Sequence, residues 1–441
     1  MAPSSDFRII LVGGGPVGLV AAHVFAAAGI DFVLLEQRPT IVPPEGAGIV
    51  LFPHTQRVFE QLGLMTRIRE IAHRFSENRI VNSWGWHYHT TYTAKWTEEN
   101  HGADWLFLHR PELLRVLYEA LPDTIKNNVY AGKKVQDIQV TADGVIVQCA
   151  DGTQEQGSMV IGADGVHSRV RNCMKKLAQQ HGANATTSRG DEESLTSTYR
   201  CLYGNTGHVP GLELGPEWDL HSSGIAMQLF GARDMCWFLF YDKLPRTVKT
   251  RQRYTEDEMD SLAQRVADVH VTDKVRFKDV WDARKWVMLA DLPEGIIKDW
   301  HWKRIVLVGD AANKQTPNIG QGWNCGVQDV VVLTNELRRL VNNGTSADIR
   351  EDDLRKLFET YRDTRQPDIE ACVGIAAGAT RAVTWDTWLT WLKDRLLSPW
   401  TGGGRNEFRQ AIGSMISKGQ ILDFIAKEDD LSGLVPWQHA P

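Results

Sequence analysis

A mixed α/β fold is predicted by three features of the sequence. These are a strand–turn–helix–strand unit near its start, a β-branched and aromatic stretch in its middle, and helical apolar spacing through its last third. In the first, the apolar run Arg8–Val12 stops at Gly13, Val17–Ala28 continues with helical spacing, and Phe32–Leu35 ends in Glu36. Those are the dimensions of one βαβ unit, about thirty residues. Helical patterns follow at His54–Leu62 and, after a helix-entry proline at Pro111, through Glu112–Leu121. Lys133 to Ile161 reads as strands with turns at Asp143-Gly144 and Asp151-Gly152. The polar, small residues His181–Glu193 read as an exposed loop or domain junction. Ser197–Tyr241 suggests a second, mainly antiparallel sheet. A strand over Arg304–Val308 then runs into Gly309, and long helices are expected over Gly322–Leu340 and Asp352–Ala377, before a Trp-rich helical tail.

The chain has 441 residues, enough for two or three domains at about 150 residues each. Its net charge of −6 and the lack of any long run of one sign argue against nucleic acid or an anionic membrane as partner. Six cysteines lie far apart with no C-x-x-C pair, so neither a disulfide framework nor a metal site is expected. No apolar run approaches the roughly 18 residues of a membrane span, and the first residues lack a signal-peptide pattern. A soluble, cytoplasmic protein is expected, which leaves the sequons at Asn184 and Asn343 little weight. The 16 Trp are many for this length and agree with an aromatic cavity.

Three motifs carry chemistry. The first is Gly13-x-Gly15-x-x-Gly18 between strand and helix, with Glu36 ending the next strand. Gly13 allows the tight turn, Gly15 lets backbone approach a pyrophosphate, and Gly18 lets helix pack on strand. The helix N-terminus offers free N–H groups and partial positive charge to that pyrophosphate, and Glu36 is placed for ribose hydroxyls. The second is Gly162-Ala163-Asp164-Gly165 after the run Met159–Ile161, followed by Ser168, Arg169 and Arg171. Alone it is a plain D-G turn. The third is Gly309-Asp310-Ala311-Ala312, then Pro317-Asn318-Ile319-Gly320-Gln321-Gly322-Trp323-Asn324, leading into a helix.

In this order the three motifs resemble the FAD-dependent single-component monooxygenases of the para-hydroxybenzoate hydroxylase fold. The spacing from Pro317 to Asn324 is most similar to the fungal branch acting on indole alkaloids, indole diterpenes and meroterpenoids. The resemblance covers about Arg8 to Ala377. It implies a Rossmann-like FAD-binding domain over 1–80, 108–195 and 295–376. A mainly antiparallel substrate domain is inserted over 81–107 and 196–294, and a helical region follows over 377–441. It implies that Gly13, Gly15, Val17 and Gly18 hold the FAD pyrophosphate, Glu36 the adenosine ribose, and Arg110 the phosphate and ribityl region. Gly48 falls in the mobile-flavin loop Gly46–Ile49. Asp164 would serve FAD indirectly, Asp310 would bind the ribityl chain, and Pro317, Gly320, Gly322, Trp323 and Asn324 would line the isoalloxazine. Two positions depart from the family pattern: Asn313 stands where a His is usual, and Trp323 where a small residue is usual.

The chemistry so implied belongs to the cofactor. NADPH or NADH reduces FAD, O2 adds at flavin C4a, and the hydroperoxide passes one oxygen to an electron-rich carbon. The lack of a second G-x-G-x-x-G fits a family that binds nicotinamide only transiently. The expected substrate is a bulky natural product, with the 2,3 bond of an indole alkaloid epoxidised and a rearrangement to a spiro-oxindole following. A meroterpenoid or terpene alkene epoxidase and an aromatic hydroxylase are the alternatives. On the substrate side, Arg200 and Tyr241 are the catalytic candidates, and no metal is expected. A halogenase would show W-x-W-x-I-P, whereas Trp84-Gly85-Trp86-His87-Tyr88-His89 lacks Ile-Pro; these residues are read as cavity wall or core. Flavin-free proteins that escort prenylated GTPases share the fold, but the retained Gly13, Gly15, Gly18, Asp310 and Asn324 argue against that role. The apolar face from Trp385 to Leu396 is expected to pack on its own protein. The oligomeric state expected is monomer or dimer.

Overall fold

A computed structural model describes residues 7–181, 195–343, 349–398, 404–426 and 431–439. Past His181, the loop expected over His181–Glu193 lies outside the described residues, as does Asn184. The first sheet has six strands in the order His301–Trp302, Ile305–Leu307, Met159–Gly162, Arg8–Val12, Asp31–Leu35, Val129–Tyr130. All pairings are parallel except the His301–Trp302 edge. The central strands are buried on both faces, which is why they read as continuous apolar runs rather than alternations. Helices Pro16–Ala28 and Gly322–Asn343 share one core with this sheet and with the small sheet Val135–Val140, Val145–Cys149, Gln154–Gly157. Ile10, Val20, Val147 and Val330 all belong to that core. A proline in the first turn and left-handed Gly29 after the last bound the first helix.

The second sheet has eight strands. Their order is Asn313–Lys314, Arg284–Ile296, Thr196–Thr206, Cys236–Val248, Ile225–Gly231, Glu217–Ser222, Asn78–Val81, His87–Thr91. Every pairing is antiparallel except Glu217–Ser222 beside Asn78–Val81. One face packs Leu202, Leu229 and Phe240 against helices Glu256–Arg265 and Phe277–Asp282. The other face carries Cys201, Ala226 and Tyr241, with Phe230 and Trp237 beside them. The last strand, Asn313–Lys314, directly follows the Gly309–Ala311 turn of the first sheet, so one short segment ties the two sheets together.

Helix Glu351–Val383 runs along both bodies. Leu354, Phe358 and Tyr361 enter the first core, and at its far end the Tyr199 hydroxyl meets Thr384 Oγ1 at 3.0 Å. The tail is helical, in short pieces, but its Trp385–Leu396 face is not packed on the protein as expected. Only Trp388–Leu392 is α-helical before a wider-turn segment over Lys393–Leu397, and Trp388 is 70% exposed, with Leu389, Trp391 and Leu396 also exposed. The packed part of the tail comes later, where Ile416 is buried and Phe408 and Ile412 close over the space between the sheets. No described helix is long and apolar enough to cross a membrane.

Candidate functional site

The first motif sits where strand Arg8–Val12 turns into helix Pro16–Ala28. Gly13 takes φ +112°, and a Cβ there would lie 2.5 Å from the Ala163 carbonyl oxygen. Gly18 passes so close to Gly13 that its Cβ would lie 1.9 Å from the Gly13 carbonyl oxygen. Both positions therefore exclude any side chain. Gly15 differs, because a Cβ there would meet nothing and would project into open space at the helix N-terminus. That space is the cradle a pyrophosphate needs. Glu36 is buried and accepts the Gly14 N–H at 2.6 Å and the Arg38 N–H at 2.8 Å, which holds the turn around the cradle.

Arg110 begins the helix Arg110–Glu119, and its side chain borders the same space. Its buried Nε has no partner, and burial, then the nearby Arg38, lowers its pKa. A desolvated cation without a partner is costly, so this guanidinium fits an anionic group such as a phosphate. Gly48, opposite His109 in the adjoining two-stranded sheet, presses on Phe107; a Cβ there would collide with that ring. The residues present thus fit FAD on two counts, the open cradle at Gly15 and the orphaned Arg110.

The second motif is spent on its own helix. Asp164 accepts Ser168 Oγ at 2.5 Å and the N–H groups of Arg169 and Val170 at 2.6 and 3.1 Å, capping helix Arg169–Gln180. Burial nonetheless raises its pKa. In the third motif, Gly309 donates its N–H to buried Asp329 at 2.9 Å, and Arg365 Nε donates to the other oxygen of Asp329 at 2.8 Å. This fixes the turn that turns Asp310 to the cavity, where Lys314 donates to it at 2.5 Å. Pro317, Gly320, Gly322 and Trp323 line the cavity. Trp323 packs its ring on Phe59, 5.7 Å between centroids, so most of that large residue lies in the core. Asn324 does not line the cavity. Its side chain accepts the Phe52 N–H at 3.1 Å and donates to the carbonyls of Val50 and Gly320 at 2.8 and 3.0 Å.

One cavity of about 1100 Å³ joins these features to the second sheet. It exceeds the roughly 300–1,000 Å³ of an ordinary small-molecule pocket. At one end stand Gly13, Gly15, Val17, Glu36, Arg38 and Arg110; at the other stand Trp105, Phe107, Glu217, Asp219, Gln228 and Tyr241. The Tyr241 hydroxyl donates to Gln228 Oε1 at 2.8 Å, and burial raises its pKa well above the ordinary value. Gln228 Nε2 donates in turn to Glu217 at 3.1 Å and to the Asn318 carbonyl at 3.2 Å. Beside them His221 meets Asp394 at 3.1 Å, and Tyr88 and Trp385 also donate to that carboxylate, at 2.6 and 2.8 Å.

Two sequence expectations are corrected here. Arg200 is one residue from Cys201 on the same strand, and therefore points to the opposite face of the sheet. There its Nε donates to Asp242 at 2.8 Å and its guanidinium lies over Tyr254, away from the cavity. The Trp84–His89 segment is a surface hairpin rather than cavity wall or core, with Trp84, Trp86 and His87 exposed. The residues that do face the cavity from Glu217–Ser222 had a signal in the alternation Glu217, Asp219, His221, polar at every second position of an expected strand. Among the described residues, no group of three or more His, Cys, Asp or Glu could hold a metal ion.

A family model described as "FAD binding domain" matches residues 6–375. The FAD-dependent monooxygenase srdH of Neurospora crassa is 34% identical over 455 residues, covering 98% of both chains. The FAD-dependent monooxygenase penE of Penicillium thymicola is 31% identical over 424 residues, 95% of this chain and 88% of that one. Among solved structures, Klebsiella pneumoniae HpxO complexed with FAD and uric acid superposes with a TM-score of 0.72 at 20% identity. That match covers 94% of this chain and 96% of the other, and it is a likeness of fold.

Proposed function

The chain belongs to the FAD binding domain family and is an FAD-dependent monooxygenase; from that premise we propose that it uses NADPH or NADH and O2 to oxygenate a bulky, electron-rich natural product of fungal secondary metabolism. The reaction we assign is epoxidation of the 2,3 bond of an indole alkaloid, with rearrangement to a spiro-oxindole as the following step. The observation that carries this reading is the single cavity with a glycine-lined, basic end and an aromatic end. Bound FAD supplies the redox chemistry, in which the nicotinamide gives two electrons, one oxygen atom of O2 enters the substrate and the other leaves as water.

The protein supplies binding, orientation and exclusion of water. Gly13, Gly15 and Val17 cradle the pyrophosphate, Gly18 sets the close helix–strand approach behind them, Glu36 accepts from the adenosine ribose, Arg110 takes a phosphate, and Asp310 holds the ribityl hydroxyls. Pro317, Gly320, Gly322 and the edge of Trp323 border the isoalloxazine, with Gly48 at the start of the strand Gly48–Leu51 on the same cavity. Asp164 and Asn324 are positioning residues, the first through its helix cap and the second through Phe52. Tyr241 and Gln228 form the wall against which the substrate is oriented. Residues 1–80, 108–195 and 295–376 make the FAD body, except that the strand Asn78–Val81 joins the sheet of the substrate body, 81–107 and 196–294, and 377–441 is the helical tail. We place the protein in the cytoplasm, as a monomer or dimer.

Incubation with NADPH, isotopically heavy O2 and a panel of indole alkaloids tests this reading. One heavy oxygen per product molecule is expected. Labelled epoxide from a terpene alkene, with none from any indole, would move the assignment to alkene epoxidation.

A further inference from the structure

Glu217 and Asp219 lie two residues apart on one face of the strand Glu217–Ser222, at the aromatic end of the cavity. In the ladder Glu217 stands between Asn78 and Phe230, and Asp219 between Ile80 and Gln228. Glu217 is 3% exposed and accepts from the side chains of Asn78 and Gln228. Asp219 is partly exposed, and it borders the cavity.

The two carboxyls share one face of the strand, and burial together with their mutual closeness works against both being ionised at once. Burial, then the charge of Asp219, raises Glu217 well above the usual carboxylate range; burial raises Asp219 to about 6 while His221 draws it down. At neutral pH the pair therefore carries one negative charge. Among the described residues no Lys or Arg forms an ion pair with either carboxyl, and His221, two residues from Asp219 on the same strand, is held by Asp394. Around the pair the cavity wall is aromatic, from Trp105, Phe107, Phe230 and Tyr241. A carboxylate in an aromatic-lined cavity is suited to a cation, for which it supplies charge-assisted hydrogen bonds, and which aromatic rings also favour. The cavity is polarised accordingly, with Arg38 and Arg110 at the far end. Gln228 connects Glu217 to the Asn318 carbonyl, so a group held by the pair is one hydrogen-bonded residue from the Pro317–Ile319 turn.

We propose that Asp219, backed by Glu217, binds a protonated amine of the substrate, so that the natural product taken is a basic, amine-bearing aromatic oriented by this contact. The inference rests on the reading of the chain as a monooxygenase of an aromatic natural product.

Calorimetric titration of the flavin-loaded protein with tryptamine and with its neutral counterpart tryptophol tests it without turnover. Tryptamine is expected to bind about tenfold more tightly, and Asp219→Asn to bring the two within about twofold while tryptophol affinity stays the same. The wild-type protein supplies a second test. Lowering the pH from about 7.5 to about 5 adds a second proton to the pair while the amine stays charged, so the preference for tryptamine falls. The groups facing the pair over that range are His221, its partner Asp394, and Tyr241. Equal affinities in the wild-type protein, no binding of the amine, or an undiminished preference in Asp219→Asn would overturn the proposal. Flavin content, read by absorbance at about 450 nm in the same samples, separates these results from failure of the monooxygenase reading, which a colourless protein that still prefers the amine would show.

Discussion

Asn324, in the first turn of the helix Gly322–Asn343, accepts the backbone N–H of Phe52 at 3.1 Å across 272 residues of chain. The same side chain donates to Val50 and Gly320, so one amide fastens the strand Gly48–Leu51 to the loop of the third motif. Asn324→Ala removes the partner of the Phe52 N–H and of the Val50 and Gly320 carbonyls, at a cost of about 1–3 kcal/mol for each group left unpaired. A lower thermal midpoint together with weaker FAD retention is expected, and Asn324→Asp, which keeps the acceptor alone, falls between. An unchanged midpoint in Asn324→Ala would remove this fastening from the account.

Arg110 offers the converse case, a side chain whose buried Nε has no protein partner. Arg110→Gln removes a desolvated charge, so the FAD-free protein is expected to be no less stable. FAD binding should weaken by about tenfold to a hundredfold, the scale of a charge-assisted phosphate contact. Equal FAD affinity in the variant, measured by titration of the flavin-free protein, would take Arg110 out of the cofactor site.

The two faces of the second sheet give a paired prediction. Arg200→Ala alters the Asp242 and Tyr254 contacts on the far face, and is expected to leave turnover within about twofold. Tyr241→Phe breaks the 2.8 Å bond to Gln228 inside the cavity and should lower kcat/KM by about tenfold. Steady-state kinetics in which Arg200→Ala is the more damaging change would reverse the assignment of faces.

His221 and Asp394 tie the tail to the second sheet, and the tie depends on pH. Burial opposes charge on His221, but Asp394, by charge and hydrogen bond, and then Asp219 raise its pKa above the usual value. Its contribution to stability is complete below about pH 6.5 and is lost as pH rises through the higher folded value. Burial also opposes the Asp394 charge, yet His221, Tyr88 and Trp385 lower its pKa to about 2. That contribution is present above about pH 4 and is lost as pH falls toward 2. The difference in thermal midpoint between the wild type and Asp394→Asn is therefore expected to be largest between about pH 4 and 6.5 and to shrink above it. Asp219, raised to about 6 by burial and in part by Asp394, titrates inside this window too, so the Asp219→Asn background is the one in which the comparison reads the tie. A difference independent of pH would show that the tail is held by packing alone.

The parts of this fold legible in the sequence are those where one residue type is the only one that fits. Gly13 and Gly18 leave no room for a side chain, so the first βα turn announces itself, as does the strand Arg8–Val12 buried on both faces. The face that Arg200 takes is not legible, because a strand's period of two is visible in sequence but its phase is not; Cys201, one residue on, faces inward. The strands Asn78–Val81 and Arg284–Ile296 are not legible because each pairs with a strand far away in the chain, at Glu217–Ser222 and Thr196–Thr206, and His87–Thr91 is an edge strand without a clear apolar alternation. For the tail, Trp388 and Leu389 have helical spacing, but nothing local shows that no partner surface covers them. Glu217 and Asp219 look like an ordinary exposed alternation until the fold turns them into a cavity.

The visible spectrum of the purified protein, before and after NADPH under air, tests the central claim most directly. Bands at about 370 and 450 nm that bleach with NADPH and return with O2 are the predicted result. A colourless protein that cannot be reconstituted with FAD would contradict it.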